Sequence, residues 1–138
     1  MTGKKYLLDT NICIYYLRGK YNIDLAIDNV GWSNCYISEI TLFELKIGIE
    51  ISKARDGIDR SEKLNRFISS MKTLPIASSI DYAAKEKVRL RAAGTPVNDN
   101  FDLLIGCTAV VNEMVMVTEN LKDFKDIQRI ELENWIFR

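Results

Sequence analysis

The sequence predicts a three-layer α/β domain, a parallel sheet of four or five strands covered by helices on both faces. Three observations carry this. Short, continuously apolar runs recur at Tyr6-Leu7-Leu8, Cys35-Tyr36-Ile37 and Met114 to Thr118. Segments with apolar residues at helical spacing separate them. Strands buried on both faces lose the alternating apolar/polar pattern, and helical crossovers are what parallel neighbours require.

In chain order, Tyr6-Leu7-Leu8 is a buried strand that ends at Asp9. Thr10-Asn11 is expected to cap a helix from Ile12 to Leu17, which Gly19 closes. A second short helix follows from about Ile23 to Val30. Cys35-Tyr36-Ile37 is the next strand, and Ser38 opens a long helix from about Glu39 to Ala54 that Asp56-Gly57 breaks. Ser61 to Met71 reads as a helix, with Leu64, Phe67, Ile68 and Met71 on one face. Thr73-Leu74-Pro75-Ile76 is an edge strand, because the proline removes a ladder donor. Ser78 or Ser79 is expected to cap a helix from Ile80 to Ala93, ended by Gly94, and a polar turn runs on to Phe101. Asp102 to Asn112 is an apolar helix, Met114 to Thr118 a strand, and Ile130-Glu131-Leu132 the last strand. The 138 residues form one domain, 1–138, without repeat or linker.

Composition narrows the chemistry. With 47% hydrophobic and 28% charged residues the chain is that of a folded protein. Lys plus Arg and Asp plus Glu both number 19, so any nucleic-acid binding depends on basic residues sorted onto one surface. Cys13, Cys35 and Cys107 are odd in number and lack CxxC spacing. That argues against a disulfide framework or a zinc site, and for a reducing, cytoplasmic setting. No stretch has the character of a signal-peptide core or a membrane span, so no membrane association is expected. The chain has no histidine, which excludes Ser-His hydrolases and two-histidine nucleases.

Acids in apolar company are the informative residues. Asp9 follows a buried strand directly, and helix capping is its competing role. On the helix from Glu39, Lys46, Glu50 and Lys53 mark the wet face, whereas Glu44 shares a face with Ile40, Gly48 and Ile51. Burying a carboxylate is costly without a partner, so either a salt bridge or a cation is required there. Asp102 begins the apolar run DLLIGCTAVV, where a favourable interaction with the helix dipole is the alternative. Gly106 and Ala109 are expected to let that helix approach the sheet. Asp99 lies in the polar turn, where an exposed aspartate is ordinary. Three acids at a strand end, a helix stripe and a helix start repel one another unless a hard cation such as magnesium or manganese joins them. Such a cation activates water and stabilises a phosphate's developing charge, which is the case for phosphodiester hydrolysis.

These residues also carry a family pattern. The opening YLLDTNICIYYLRG, then ISEITLFELKIGIE, then GTPVNDNFDLLIGCTAVV, and finally MVMVTENLKDF with IELENW stand in order from Lys5 to Ile136. Together they resemble the PIN domain, and more closely its VapC-type toxins of bacterial toxin–antitoxin pairs. The resemblance implies a sheet in the order 3-2-1-4-5 and a magnesium- or manganese-dependent endoribonuclease with Asp9, Glu44 and Asp102 as metal ligands. It also implies a homodimer and a neutralising VapB-type antitoxin; the nearest likeness is to members that cut initiator transfer RNA. Asn120 occupies the position of a fourth acid in many PIN nucleases, leaving Glu119 and Asp123 as further candidates. The turn NDNFD is one residue longer than usual, which leaves Asp99 as an additional acid. Thr118 and Asn120 are candidates to orient a water or a carboxylate, with turn capping the alternative for Thr118. Thr10 and Asn11 are divided between capping and supporting the ligands.

Among basic residues, Lys85 and Arg89 share one helix face and Lys87 and Arg91 another, so they form no single stripe and are mostly solvated surface. Arg18, after the helix that leaves Asp9, is the better candidate for RNA, whose unpaired bases and phosphates would be read. The apolar residues Phe43, Ile47 and Ile51 exceed what one helix layer needs; a dimer seam or a helix-in-groove contact would use them. Two other accounts compete. An aspartate-nucleophile phosphatase would need a second carboxylate where Asn11 stands. A PIN-like module that binds RNA or protein without cutting would be favoured by loss of Asp9, Glu44 or Asp102, and all three are present.

Overall fold

A computed structural model describes residues 3–138. Five short parallel strands form one sheet in the order β3-β2-β1-β4-β5: β1 (Tyr6–Leu8), β2 (Cys35–Ser38), β3 (Lys72–Leu74), β4 (Val115–Val117) and β5 (Glu131–Glu133). Seven helices connect them: α1 (Thr10–Leu17), α2 (Ile23–Val30), α3 (Glu39–Asp56), α4 (Ser61–Ser69), α5 (Ile80–Ala92), α6 (Asn100–Val111) and α7 (Leu121–Phe124). The expected strand order holds. The central strand β1 is buried throughout and pairs β2 on one edge and β4 on the other. Its side chains alternate: Tyr6 and Leu8 enter an apolar layer with Ile12, Ile23, Ile27, Leu45, Leu64 and Phe67, whereas Leu7 enters the opposite layer with Leu90, Leu103, Ile105, Met116 and Phe124. Helices α1, α2 and α4 therefore cover one face, and α5, α6 and α7 the other.

Glycine does closing work at two helix ends. Gly19, at φ +67°, lets its own N–H reach Tyr16 O and the Lys20 N–H reach Tyr15 O, a Schellman closure of α1. Gly57, at φ +76°, closes α3 with its N–H on Lys53 O. At the start of α3, Ser38 Oγ accepts the Thr41 N–H, as its sequence position indicates.

Several expectations need correction. Thr10 is the first residue of α1, and the cap is Asp9, whose carboxylate accepts the Thr10 N–H. Neither Thr10 nor Asn11 caps. Ser79 precedes α5 but its buried hydroxyl donates to Ile76 O and lies 3.2 Å from Thr108 Oγ1, so it joins the 3-10 turn to α6 rather than capping α5. Pro75 falls outside β3, which ends at Leu74. Helix α6 starts two residues before Asp102, with Asp99 as its cap. The close approach at Gly106 is to the segment after β4: a Cβ there would stand 2.6 Å from Ile127 Cδ1 and 3.3 Å from Phe124 Cδ1. Helix α7, which has no periodic signature in its four residues, was not anticipated.

Candidate active site

The carboxyl ends of β1 and β4 place Asp9 and Thr118 side by side. Asp9 donates its N–H to Val117 O at 2.9 Å, which continues the β1–β4 ladder one step past the strand. Its side chain is 4% exposed. One carboxylate oxygen, Oδ1, accepts the Thr10 N–H at 2.8 Å; the other, Oδ2, accepts the fully buried Thr118 hydroxyl at 2.8 Å. Burial pushes the Asp9 carboxyl above its usual range; the two hydrogen bonds counter this, and Glu44 and Asp123 add to the rise through repulsion.

Thr10 ties the second acid to the first. Its hydroxyl donates to Glu44 Oε1 at 2.6 Å. The same hydroxyl lies 3.1 Å from Thr41 Oγ1. Glu44 itself is half-buried, and the stripe assigned to it from the sequence is corrected here: Ile51 is 62% exposed and Gly48 is exposed. The face of α3 that enters the interior carries Ile40, Thr41 and Leu45, and Glu44 stands at its edge.

Asp102, in the first turn of α6, is half-buried and is the most perturbed of the acids. Burial first, then repulsion from Asp99, Asp9, Glu44 and Asp123, pushes its carboxyl up to about 7. Acids from four separate segments thus act on one group. Asp99 is exposed and caps α6, accepting the Phe101 and Asp102 N–H groups at Oδ1. Asp99, Asp102, Asp123 and Asp126 line a cavity of about 340 Å³ with Lys122 as its single cation. Among the described residues, no three acids already stand at direct ligation spacing around one point. All the converging donors are carboxylate oxygens, with neither histidine nor thiolate beside them. That donor set suits a hard, oxygen-seeking divalent cation. Asn11 Oδ1, next to Thr10, is buried without a hydrogen-bond partner among the described residues, which leaves one further acceptor in this region.

The remaining candidates divide. Asn120 acts through its backbone, whose N–H donates to Thr118 Oγ1 at 3.0 Å, and its side chain is exposed. Thr118 thus both donates to Asp9 and accepts from the turn, so its two proposed roles coincide. Asp123 faces Asp9 and Asp102, whereas Glu119 turns away: it accepts the Tyr15 hydroxyl at 2.9 Å and Arg138 Nε at 2.8 Å. That pairing holds the Glu119 carboxyl below its usual range. Arg18 lines a second cavity, of about 430 Å³, which reaches Glu44 between α1, α3 and α4. Sequence reasoning missed Arg60, Lys63 and Arg66 on its wall; their spacing of three along α4 was a readable signal. Of the other cations, Arg89 pairs bidentately with buried Glu86, and Lys87 donates to Val97 O.

A five-stranded parallel sheet in the order 3-2-1-4-5, with acids gathered over the ends of its two central strands, defines an α/β protein of the PIN kind. The family model for the PIN domain matches residues 6–130. The chain belongs to the PIN-domain family, within its VapC branch. It is 33% identical over 136 residues to Ribonuclease VapC2 of Rickettsia felis, covering 94% of this chain and 97% of the relative. It is also 33% identical over 132 residues to the tRNA(fMet)-specific endonuclease VapC of Salmonella typhimurium, covering 95% and 98%. Among solved structures, VapBC2 from Rickettsia felis bound to a promoter DNA fragment matches with a TM-score of 0.82 at 32% identity, over 94% of this chain and 98% of that one. DNA-bound VapBC from Salmonella typhimurium matches at 0.80 and 31%, over 96% and 98%. Among the described residues, no helix is long and apolar enough to cross a membrane.

Proposed function

We propose that this protein is a metal-dependent endoribonuclease acting as the toxin of a toxin–antitoxin pair, with Asp9, Glu44 and Asp102 holding magnesium or manganese. The observation that carries the reading is the gathering of acids around half-buried Asp102; burial first, and then repulsion from those acids, pushes its carboxyl up to about 7. Like charges packed this way are unfavourable for stability and useful for a cation. A divalent cation bound there supplies Lewis acidity toward water and the scissile phosphate. The chain's own residues do the positioning. Thr118 and the Thr10 N–H fix both oxygens of Asp9, the Thr10 hydroxyl aims Glu44, and Asp102 gives up its proton when positive charge occupies the site. Asp123, which acts on both Asp9 and Asp102, is a further acid at the site, and Asn120 supports the turn before it. Arg18 is the cation offered to the RNA backbone next to Glu44; on the same wall Arg60 and Arg66 are paired with Asp56 and Glu62, and Lys63 donates to Leu17 O.

The substrate class is RNA, and transfer RNA is the first choice because the Salmonella relative is a tRNA(fMet)-specific endonuclease. The partner is a VapB-type antitoxin, by analogy with the VapBC complexes that match in structure. The protein pairs with a second copy through the exposed apolar stripe Phe43, Ile47 and Ile51, beside which Phe101 packs edge-on to Phe43. Three buried free cysteines suit a cytoplasmic setting.

The test is incubation of antitoxin-free protein with total RNA and magnesium or manganese, followed by mapping of the cut ends, beside Asp9→Asn and EDTA controls. Discrete cuts that vanish in both controls are expected. Intact RNA of every class, from folded protein that binds manganese, would leave a binding module without catalysis.

A further inference from the structure

Beside the acids, but separate from them, lies a cluster of aromatic rings around one guanidinium. Tyr21 sits at φ +58°, in the left-handed region that bulky side chains rarely adopt. Asn22 follows at φ +52°. Such strain persists only where the surroundings fix it, and it gathers at sites that bind. Here the strained backbone sets the Tyr21 ring edge-on to Tyr15, with centroids 4.8 Å apart and planes at 85°. The Arg138 guanidinium lies over the Tyr21 ring, 4.8 Å from its centroid. Glu119 orients it, accepting Nε at 2.8 Å while its other oxygen takes the Tyr15 hydroxyl.

Three segments therefore hold one planar cation in place, and the Arg138 side chain remains 58% exposed. The pairing with Glu119 leaves the unit without net charge, so a general attraction for polyanions is not what it offers. A fixed, flat, exposed guanidinium backed by an aromatic ring offers stacking. Its position suits that use. Glu119 directly follows Thr118, which bonds Asp9, and Tyr15 is six residues along the helix that starts at Asp9, roughly 9 Å along its axis.

We propose that Arg138, set by Glu119 and backed by Tyr21 and Tyr15, is a stacking platform for an unpaired RNA base flanking the scissile phosphate. The proposal rests on the ribonuclease reading above and names a substrate contact within it. Unpaired bases are commonly held on aromatic and arginine planes, and loss of one such plane weakens single-strand binding by about tenfold or more.

The experiment measures binding of a short, unstructured, fluorescein-labelled single-stranded RNA in EDTA, by anisotropy, with a duplex of the same sequence as control. Arg138→Ala and Tyr21→Gly are compared with wild type; glycine accepts the positive φ but gives up a half-buried ring packed against the apolar layer of β1. Manganese affinity is measured alongside and is expected to stay at the wild-type value; the melting temperature is expected to do so for Arg138→Ala and to fall by a few degrees, in a single folded transition, for Tyr21→Gly. Each variant is expected to weaken single-strand binding about tenfold and duplex binding less than twofold. Arg138→Lys is expected to remain weak, because lysine keeps the charge and loses the plane. Full rescue by lysine, equal loss for the duplex, or Arg138→Ala within twofold of wild type would each overturn the platform. These outcomes leave the catalytic reading intact if wild type still makes metal-dependent cuts; a wild type that neither binds nor cuts RNA overturns both.

Discussion

Replacing Asp102 by asparagine should stabilise the metal-free protein, and by an amount that grows with pH. In the folded chain the Asp102 carboxyl is raised from 3.8 to about 7. A group whose folded value lies above its unfolded one binds extra protons in the folded state between the two values. The stability it contributes is therefore intact below pH 3.8 and lost as pH rises through 7. A rise of that size corresponds to about 4 kcal/mol if the group were fully shielded. Asp102 is only half-buried, and solvent screening reduces the figure to about 1–2 kcal/mol. Asparagine cannot ionise and escapes this loss. Metal-free wild type and variant should then melt at similar temperatures near pH 4.5 and diverge to about 3–8 °C at pH 8, the variant being the more stable. The assay is thermal melting by circular dichroism in EDTA across that range, with a parallel series in magnesium. Taking the difference between the two proteins removes groups common to both, including Asp56 and Glu86, whose lowered values act in the opposite direction. Magnesium should raise the wild-type melting temperature at pH 8 and leave the variant nearly unmoved. Parallel melting curves from pH 4.5 to 8 would show that neither burial nor the neighbouring acids burden Asp102, and would remove the main support for a cation there.

Thr118→Val removes the hydroxyl from Asp9 Oδ2 with little change of shape. It should cost about 1–3 kcal/mol in urea unfolding near neutral pH and reduce manganese affinity, since a buried carboxylate oxygen is left without its donor. Gly106→Ala puts a methyl 2.6 Å from Ile127 Cδ1; a loss of about 1–2 kcal/mol is expected, most of it recovered by adding Ile127→Val. Ile51→Lys places a charge in the exposed apolar stripe of α3 and should convert a dimer to a monomer in light scattering without lowering the melting temperature of the monomer. A protein that is monomeric before the substitution would exclude that seam.

What could be read in the sequence followed burial. The strands β1, β2 and β4 are buried on both faces and stand out as continuous runs, whereas the outer strands β3 and β5 are partly exposed and carry Lys72, Glu131 and Glu133. Their limits depend on pairing with a neighbour, which one chain's pattern does not encode. Asp9 and Asp102 were legible because each interrupts an apolar run. Glu44 was found for a reason that proved incomplete. Phe43, Ile47 and Ile51 project outward, so apolar spacing on α3 marks two faces rather than one, and Glu44 lies at the edge of the buried one. The capping errors share a cause. Asp9, Thr10 and Ser79 each have several partners within reach, and tertiary neighbours far along the chain decide among them: Thr118 for Asp9, Glu44 for Thr10, Thr108 for Ser79. The Tyr15–Tyr21–Arg138 cluster left no local signal, since it joins residues more than a hundred positions apart.

The placement of β1 between β2 and β4 has a consequence for synthesis. Asp9 is synthesised well before the residue, 109 positions later, whose hydroxyl completes its environment. Until β4 is added to the open edge of β1, Asp9 lacks the Thr118 hydroxyl. The candidate site is therefore completed late, through a contact of long sequence separation, the slow kind to form. For the toxin proposed above, that delay gives a partner synthesised alongside it an interval to be ready before the site exists.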